Sequence, residues 1–148
     1  MRYTLLFSIL VLIISSCSKN KFSSTHSLKF KSVNTTQLHS QELITFTLSF
    51  TDAEGDFSDT STLYVQRVVP NCVNSNGDQF LALPSFPTSK NQKADINITL
   101  GNKASSIYHD ISPQCPPQND TATFRFVLKD NANHLSDTAS SPTIIIYN

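Results

Sequence analysis

Apolar and polar residues alternate with a period of two along three stretches of the chain. ELITFTLSF places Ile44, Phe46, Leu48 and Phe50 on one face and Thr45, Thr47 and Ser49 on the other. ADINITL does the same with Ala94, Ile96, Ile98 and Leu100 against Asp95, Asn97 and Thr99. TATFRFVLKD sets Ala122, Phe124, Phe126 and Leu128 against Thr123, Arg125 and Lys129. Successive side chains of an extended strand point to opposite faces, so each stretch predicts a strand with one buried side. STLYVQRVV (61–69) and TIIIY (143–147) are more continuously apolar, as strands in the middle of a sheet can be. SLKFKSV (27–33), QFLAL (79–83) and SSIYHDI (105–111) are weaker strand candidates.

Breakers separate these segments: DAEGD, NSNGD, PSFPTSKNQK, GNK, SPQCPPQND and DNANHLSD. No stretch has the period of an amphipathic helix, and no internal repeat is visible. About seven or eight short strands in so short a chain predict an all-β, antiparallel β-sandwich. Composition agrees, with 39% apolar and 15% charged residues, only 3 Gly and no Trp. Net charge is zero, so the basic footprint of a nucleic-acid binder is missing. One local asymmetry remains: Lys19, Lys21, Lys29 and Lys31 precede the first acid, Glu42.

The beginning of the chain reads as an address. Arg2 is followed by an apolar run from Leu5 to Ile14, too short to span a bilayer but matched to a secretory signal. Ile14-Ser15-Ser16-Cys17 resembles a bacterial lipobox. That resemblance implies diacylglyceryl attachment to Cys17 and cleavage before it, with several acyl chains anchoring the product firmly. The alternative is an ordinary signal peptide with an incidental Cys. The expected organisation is a signal peptide over 1–16, the lipidated Cys17 and a polar, disordered tether over 17–27, and the sandwich over 28–148. Ser18, where an Asp would favour retention at the inner membrane, points to the outer membrane, on either face.

With Cys17 assigned to lipid, Cys72 and Cys115 form an even pair in an oxidising compartment. A bridge between them closes a loop of about 44 residues, worth about 4 kcal/mol on the loop-entropy model. The alternative is two free thiols. Neither Cys has the C-x-x-C spacing that presents paired zinc ligands.

SFTDAEGDFSDT concentrates Asp52, Glu54, Asp56 and Asp59 with no basic residue. Asp52, Glu54 and Asp56 alternate around Gly55, and carboxylates so spaced can wrap a Ca²⁺ ion on a flexible loop. The loop is not an EF-hand, since its Gly is misplaced and no closing Glu follows. The bland reading is a turn whose Asp side chains bond to the backbone. A second loop, KDNANHLSDT, also follows an inward-facing strand. If the two loops share a pole, Asp130, the Asn131 or Asn133 amide and Asp137 complete a calcium shell; otherwise this loop too is a turn, with Asn tolerating positive φ.

The two segments ITFTLSFTDAEGDFSDTSTLYV and DTATFRFVLKDNANHLSDTASSPTIII resemble small Bacteroidota lipoproteins of unknown function. That group pairs an F-T-D-x-D/E-G-D loop with an F-x-F-x-V-x-D-x-A-G-N-x-S strand and loop. The resemblance covers most of 42–147 and implies an immunoglobulin-like sandwich, but no activity. The chain departs from the pattern at Ala53-Glu54 and at His134 after Asn133. DTA at 120–122 and 137–139 resembles the O-glycosylation acceptor of the same phylum, which would place glycans on Thr121 and Thr138. Asn34, Asn97 and Asn119 head N-x-T sequons that a bacterial lipoprotein is not expected to use.

His26, His39, His109 and His134 lack metalloprotease spacing and read as surface or loop histidines. No G-x-S-x-G, phosphate-cradling Gly loop or Cys-His signature is present, so no enzyme is expected. The expected protein is a lipid-anchored envelope module that binds a protein or glycan, or serves as an accessory subunit. The alternatives are a calcium-rigidified spacer and a small envelope hydrolase. An exposed aromatic patch would favour binding and a uniformly polar surface the spacer. Of the candidates for such a patch, Tyr64, Phe80, Phe86, Tyr108 and Tyr147, most are expected in the core.

Overall fold

The computed structural model describes residues 26–55, 57–58, 61–72, 77–84 and 87–148. The expected signal peptide, Cys17, nearly all of the tether, Asp56, Asp59 and Phe86 lie outside the described residues.

Ten strands follow one another: β1 (Ser27–Val33), β2 (Gln37–Leu38), β3 (Leu43–Asp52), β4 (Thr62–Val68), β5 (Gly77–Ala82), β6 (Gln92–Gly101), β7 (His109–Asp110), β8 (Asp120–Lys129), β9 (Ala139–Ser140) and β10 (Ile144–Ile146). They form two sheets, one in the order β1-β3-β6-β7 and one in the order β2-β10-β8-β4-β5, with β9 added to β8. The described residues contain no helix.

The period-two alternation does what it predicts. Every second residue of β3 is buried from Ile44 to Asp52, and every second residue of β8 from Asp120 to Leu128. β3 pairs with β6 so that Phe46 lies opposite Ile98 and Ile44 opposite Leu100. Across the gap between the sheets, the Phe46 ring meets Phe124 at 4.9 Å and Phe126 at 5.2 Å. Each such fully buried Phe or Ile stabilises by roughly 1.5–3 kcal/mol. The more continuously apolar β4 and β10 are interior to their sheet, each flanked by two strands.

The sheets are mixed rather than antiparallel throughout. β2 pairs with β10 in parallel, and β7 with β6 in parallel. Both exceptions are two-residue pairings, too short to carry an alternation signal. β2 exists because the chain leaves β1 at Val33 and crosses to the edge of the other sheet before returning in β3. Thr35 fixes that crossing: its hydroxyl donates to Gln37 O at 2.7 Å and accepts from Gln37 N at 3.1 Å. Of SSIYHDI only His109–Asp110 is a strand, and Ile107 stands 79% exposed.

One end of the inter-sheet space is closed by Arg67 and by the Cys72–Cys115 disulfide, whose Cα atoms are 5.8 Å apart. Arg67 occupies an inward position of β4, and its Nη1 donates to Ile111 O at 2.7 Å and Ser112 O at 3.0 Å. Burial lowers its pKa, with Asp120 and Asp110 opposing that shift.

Candidate functional site

The opposite end is built from residues that continue the strand alternation one step past the apolar run. Asp52 shares the inward face of Phe46, Leu48 and Phe50, and Asp130 that of Phe124, Phe126 and Leu128. His26 shares the face of Leu28, and the β1–β3 register, with Ser27 opposite Thr51, brings it beside Asp52. All three side chains therefore point between the sheets, where the buried Phe57 ring lies 6.2 Å from that of His26. His26 is 3% exposed, Asp52 0% and Asp130 3%. The reading of His26 as a surface histidine is thus corrected. His39, His109 and His134 are exposed as expected.

His26 stands between two carboxylates. Its Nε2 lies 2.6 Å from Asp130 Oδ2, and its Nδ1 lies 3.5 Å from Asp52 Oδ1. Asp130 Oδ2 also meets His134 Nδ1 at 2.9 Å, while Oδ1 accepts the His134 amide at 2.7 Å. Burial pushes the Asp130 carboxyl up. Hydrogen bonds from His26, the His134 amide and the His134 ring, with the His26 charge, outweigh that and hold it below the usual carboxylate range.

The two loops singled out for calcium do share this pole. Asn131 Nδ2 donates to Ser58 Oγ across them. Within the first loop, Asp52 acts as the backbone anchor of a turn: Oδ1 accepts from Glu54 N at 2.9 Å and Gly55 N at 3.2 Å, and Oδ2 from Phe57 N at 3.2 Å. Gly55 sits at φ 77°, and a Cβ there would come within 2.8 Å of Lys90 N. Glu54 and Asp137 are exposed. Asn133 adopts φ 69°, the positive φ that Asn tolerates. Among the described residues, the group of His, Cys and acidic side chains whose ligand atoms converge is His26, Asp130 and His134, all within 4.8 Å of one another. The sequence reading named Asp130 for this pole but assigned neither histidine to it.

A second feature lies on the outer face of the sheet that contains β4, β5 and β8. The register sets Tyr64 between Phe80 and Val127. The Tyr64 and Phe80 rings are 5.0 Å apart, and Leu135 flanks them over a shallow depression of about 450 Å³. Phe80 is 72% exposed and Leu135 61%. Asp78, on the same rim, raises the Tyr64 pKa by hydrogen bonding, with desolvation and its charge adding. The expectation that most of these aromatics lie in the core is corrected: Tyr64, Tyr108 and Tyr147 are half-buried, and Phe80 faces outward. A third feature is an apolar cleft of about 510 Å³ where β5 and β6 leave the sheets ajar, walled by Phe50, Phe57, Leu63, Leu81, Leu83 and Ile96. Thr121 and Thr138 are both exposed.

No protein-family model matches the chain, and no curated protein does. Among solved structures, the chain is similar to an alkylpurine DNA glycosylase, AlkC, of Pseudomonas fluorescens, bound to DNA containing an abasic site analog. That match has TM-score 0.52 and 6% identity, over 86% of this chain and 32% of that one. It is also similar to a Niemann-Pick type C2 protein from Japanese carpenter ant, with TM-score 0.48 and 8% identity over 81% and 92% of the two chains. A third match is Spo0M, a sporulation control protein from Bacillus subtilis, with TM-score 0.40 and 9% identity over 85% and 51%. The chain spans about a third of the glycosylase, and identity this low bears on the fold alone.

Proposed function

We propose that the chain is a lipid-anchored cell-envelope module of immunoglobulin-like architecture. It works by binding an envelope protein or glycan, or as an accessory subunit, without catalysis. The observation that carries this reading is the exposed patch of Tyr64, Phe80, Val127 and Leu135. A spacer has no use for a Phe at 72% exposure beside a Leu at 61%, whereas aromatic residues concentrate where surfaces bind. Strand order supports the architecture. β10-β8-β4-β5 follows the G-F-C-C′ order of variable-type domains, and β1-β3-β6 follows A-B-E. β7, in the place of D but parallel to β6, departs from it. The Cys72–Cys115 bridge joins the residues after β4 to those before β8, not the B and F strands. The lipobox-like Ile14-Ser15-Ser16-Cys17 supports the anchor, and Ser18 after it supports an outer-membrane location.

The test is a Phe80→Ser/Leu135→Ser variant of the full-length protein, examined in the native envelope for the size of the complex that it enters. An unchanged melting temperature with loss of the larger complex is expected. A variant that still enters the same complex, or a wild type that enters none, would return the module to a spacer.

A further inference from the structure

His26 raises a problem of valence that its two partners do not solve. Both ring nitrogens face carboxylate oxygens, Nε2 towards Asp130 and Nδ1 towards Asp52. A neutral imidazole has one N–H to donate, so one nitrogen must present a lone pair to a carboxylate. Nδ1 is buried and makes no hydrogen bond among the described residues.

We propose that His26 Nε2, Asp130 Oδ2 and His134 Nδ1 bind one zinc ion. With the metal on Nε2, the ring proton resides on Nδ1 and points at Asp52. That is the carboxylate–histidine–metal relay that orients metal-binding imidazoles. Two imidazoles and one carboxylate suit zinc better than the hard, all-oxygen shell that calcium requires. The three ligand atoms lie within 4.8 Å of one another, and tetrahedral zinc sets its ligand atoms about 3.3–3.4 Å apart. The Asp130 contacts of 2.6 and 2.9 Å therefore open by less than about 1 Å on metal entry. Each ring stays neutral by changing tautomer: the N–H proton that faced Asp130 leaves the metal-binding nitrogen and the other nitrogen takes one up, Nδ1 in His26 and Nε2 in His134. The His134 side chain is 59% exposed and gives the ion a path in, leaving the fourth position to water. His39 and His109 lie outside the cluster.

The test uses full-length protein without a histidine tag, purified in detergent, stripped with chelator and titrated with Zn²⁺. One ion should bind per chain and raise the melting temperature in proportion to log concentration. His134→Ala, a change at an exposed side chain, should weaken binding by at least about tenfold, and His39→Ala should leave it unchanged. Co²⁺ in place of Zn²⁺ should give the visible bands of a four-coordinate site in wild type and lose them in His134→Ala. The proposal fails if no saturable Zn²⁺ binding is found, if His134→Ala binds as tightly as wild type, or if Ca²⁺ and not Zn²⁺ stabilises the fold.

Discussion

His26, Asp52 and Asp130 show how one residue beyond an apolar run can matter more than the run. Each continues the inward parity of its strand, so each was legible as an interior position from alternation alone. His26 escapes that reading because it sits one residue before β1, in a polar, Ser-rich stretch that reads as tether. The pairing of the three was not legible, since it depends on the β1–β3 register and on the distance between sheets. Replacing His26 by Leu removes the 2.6 Å partner of the buried Asp130 carboxylate and should cost about 1–3 kcal/mol in urea unfolding with chelator present. A loss within about 0.5 kcal/mol would mean that the residue behaves as a surface histidine. Gly55→Ala meets both a positive φ and the Lys90 backbone. It should destabilise by more than about 1 kcal/mol on the same measurement. Phe80 carries the opposite lesson: QFLAL alternates, with Phe80 outward and Leu81 inward, yet hydrophobicity alone argues for burial.

At the scale of elements, the long strands were readable because ten-residue runs alternate cleanly, as in β3 and β8. β2, β7 and β9 were not, because two residues have no period. β7 is held instead by side chains. Asp110 Oδ1 accepts from Lys103 N at 2.9 Å and Ser112 N at 3.2 Å, and both its oxygens accept the Ser112 hydroxyl at 2.7 Å. Desolvation pushes the Asp110 carboxyl up, but these hydrogen bonds and Arg67 leave it below the usual range. A carboxyl depressed in the folded state contributes stability that is complete above its unfolded pKa and is lost as pH falls through the folded one. Stability should therefore drop below about pH 4, and Asp110→Asn should make that acid limb shallower in a pH series of melting temperatures. The disulfide joins two loops 43 residues apart in sequence. Reducing it should cost about 4 kcal/mol, and a non-reduced mass measurement that finds two free thiols would contradict the bridge.

For the whole molecule, two sheets share one core, the pole away from the disulfide gathers buried ionisable groups, and one outer face carries an apolar patch. The architecture was legible because each long strand announces its buried side. Of the patch, Tyr64 and Phe80 are candidates in the sequence, but their meeting with Val127 and Leu135 is not legible there, because the members come from β4, β5, β8 and the loop after β8 and only their register places them together. The proposed lipid anchor at Cys17 has its own test. Cys17→Ala should move the protein from the membrane to the soluble fraction, and its retention in the membrane would remove the anchor from the reading. The central claim is that the Tyr64–Phe80 face is a contact surface in the envelope. Its most direct measurement places a photo-crosslinking residue at position 80 and, separately, at position 93 on the outer face of the other sheet. A discrete adduct from position 80 and none from position 93 is the predicted result; equal yields from both, or no adduct from position 80, would contradict it.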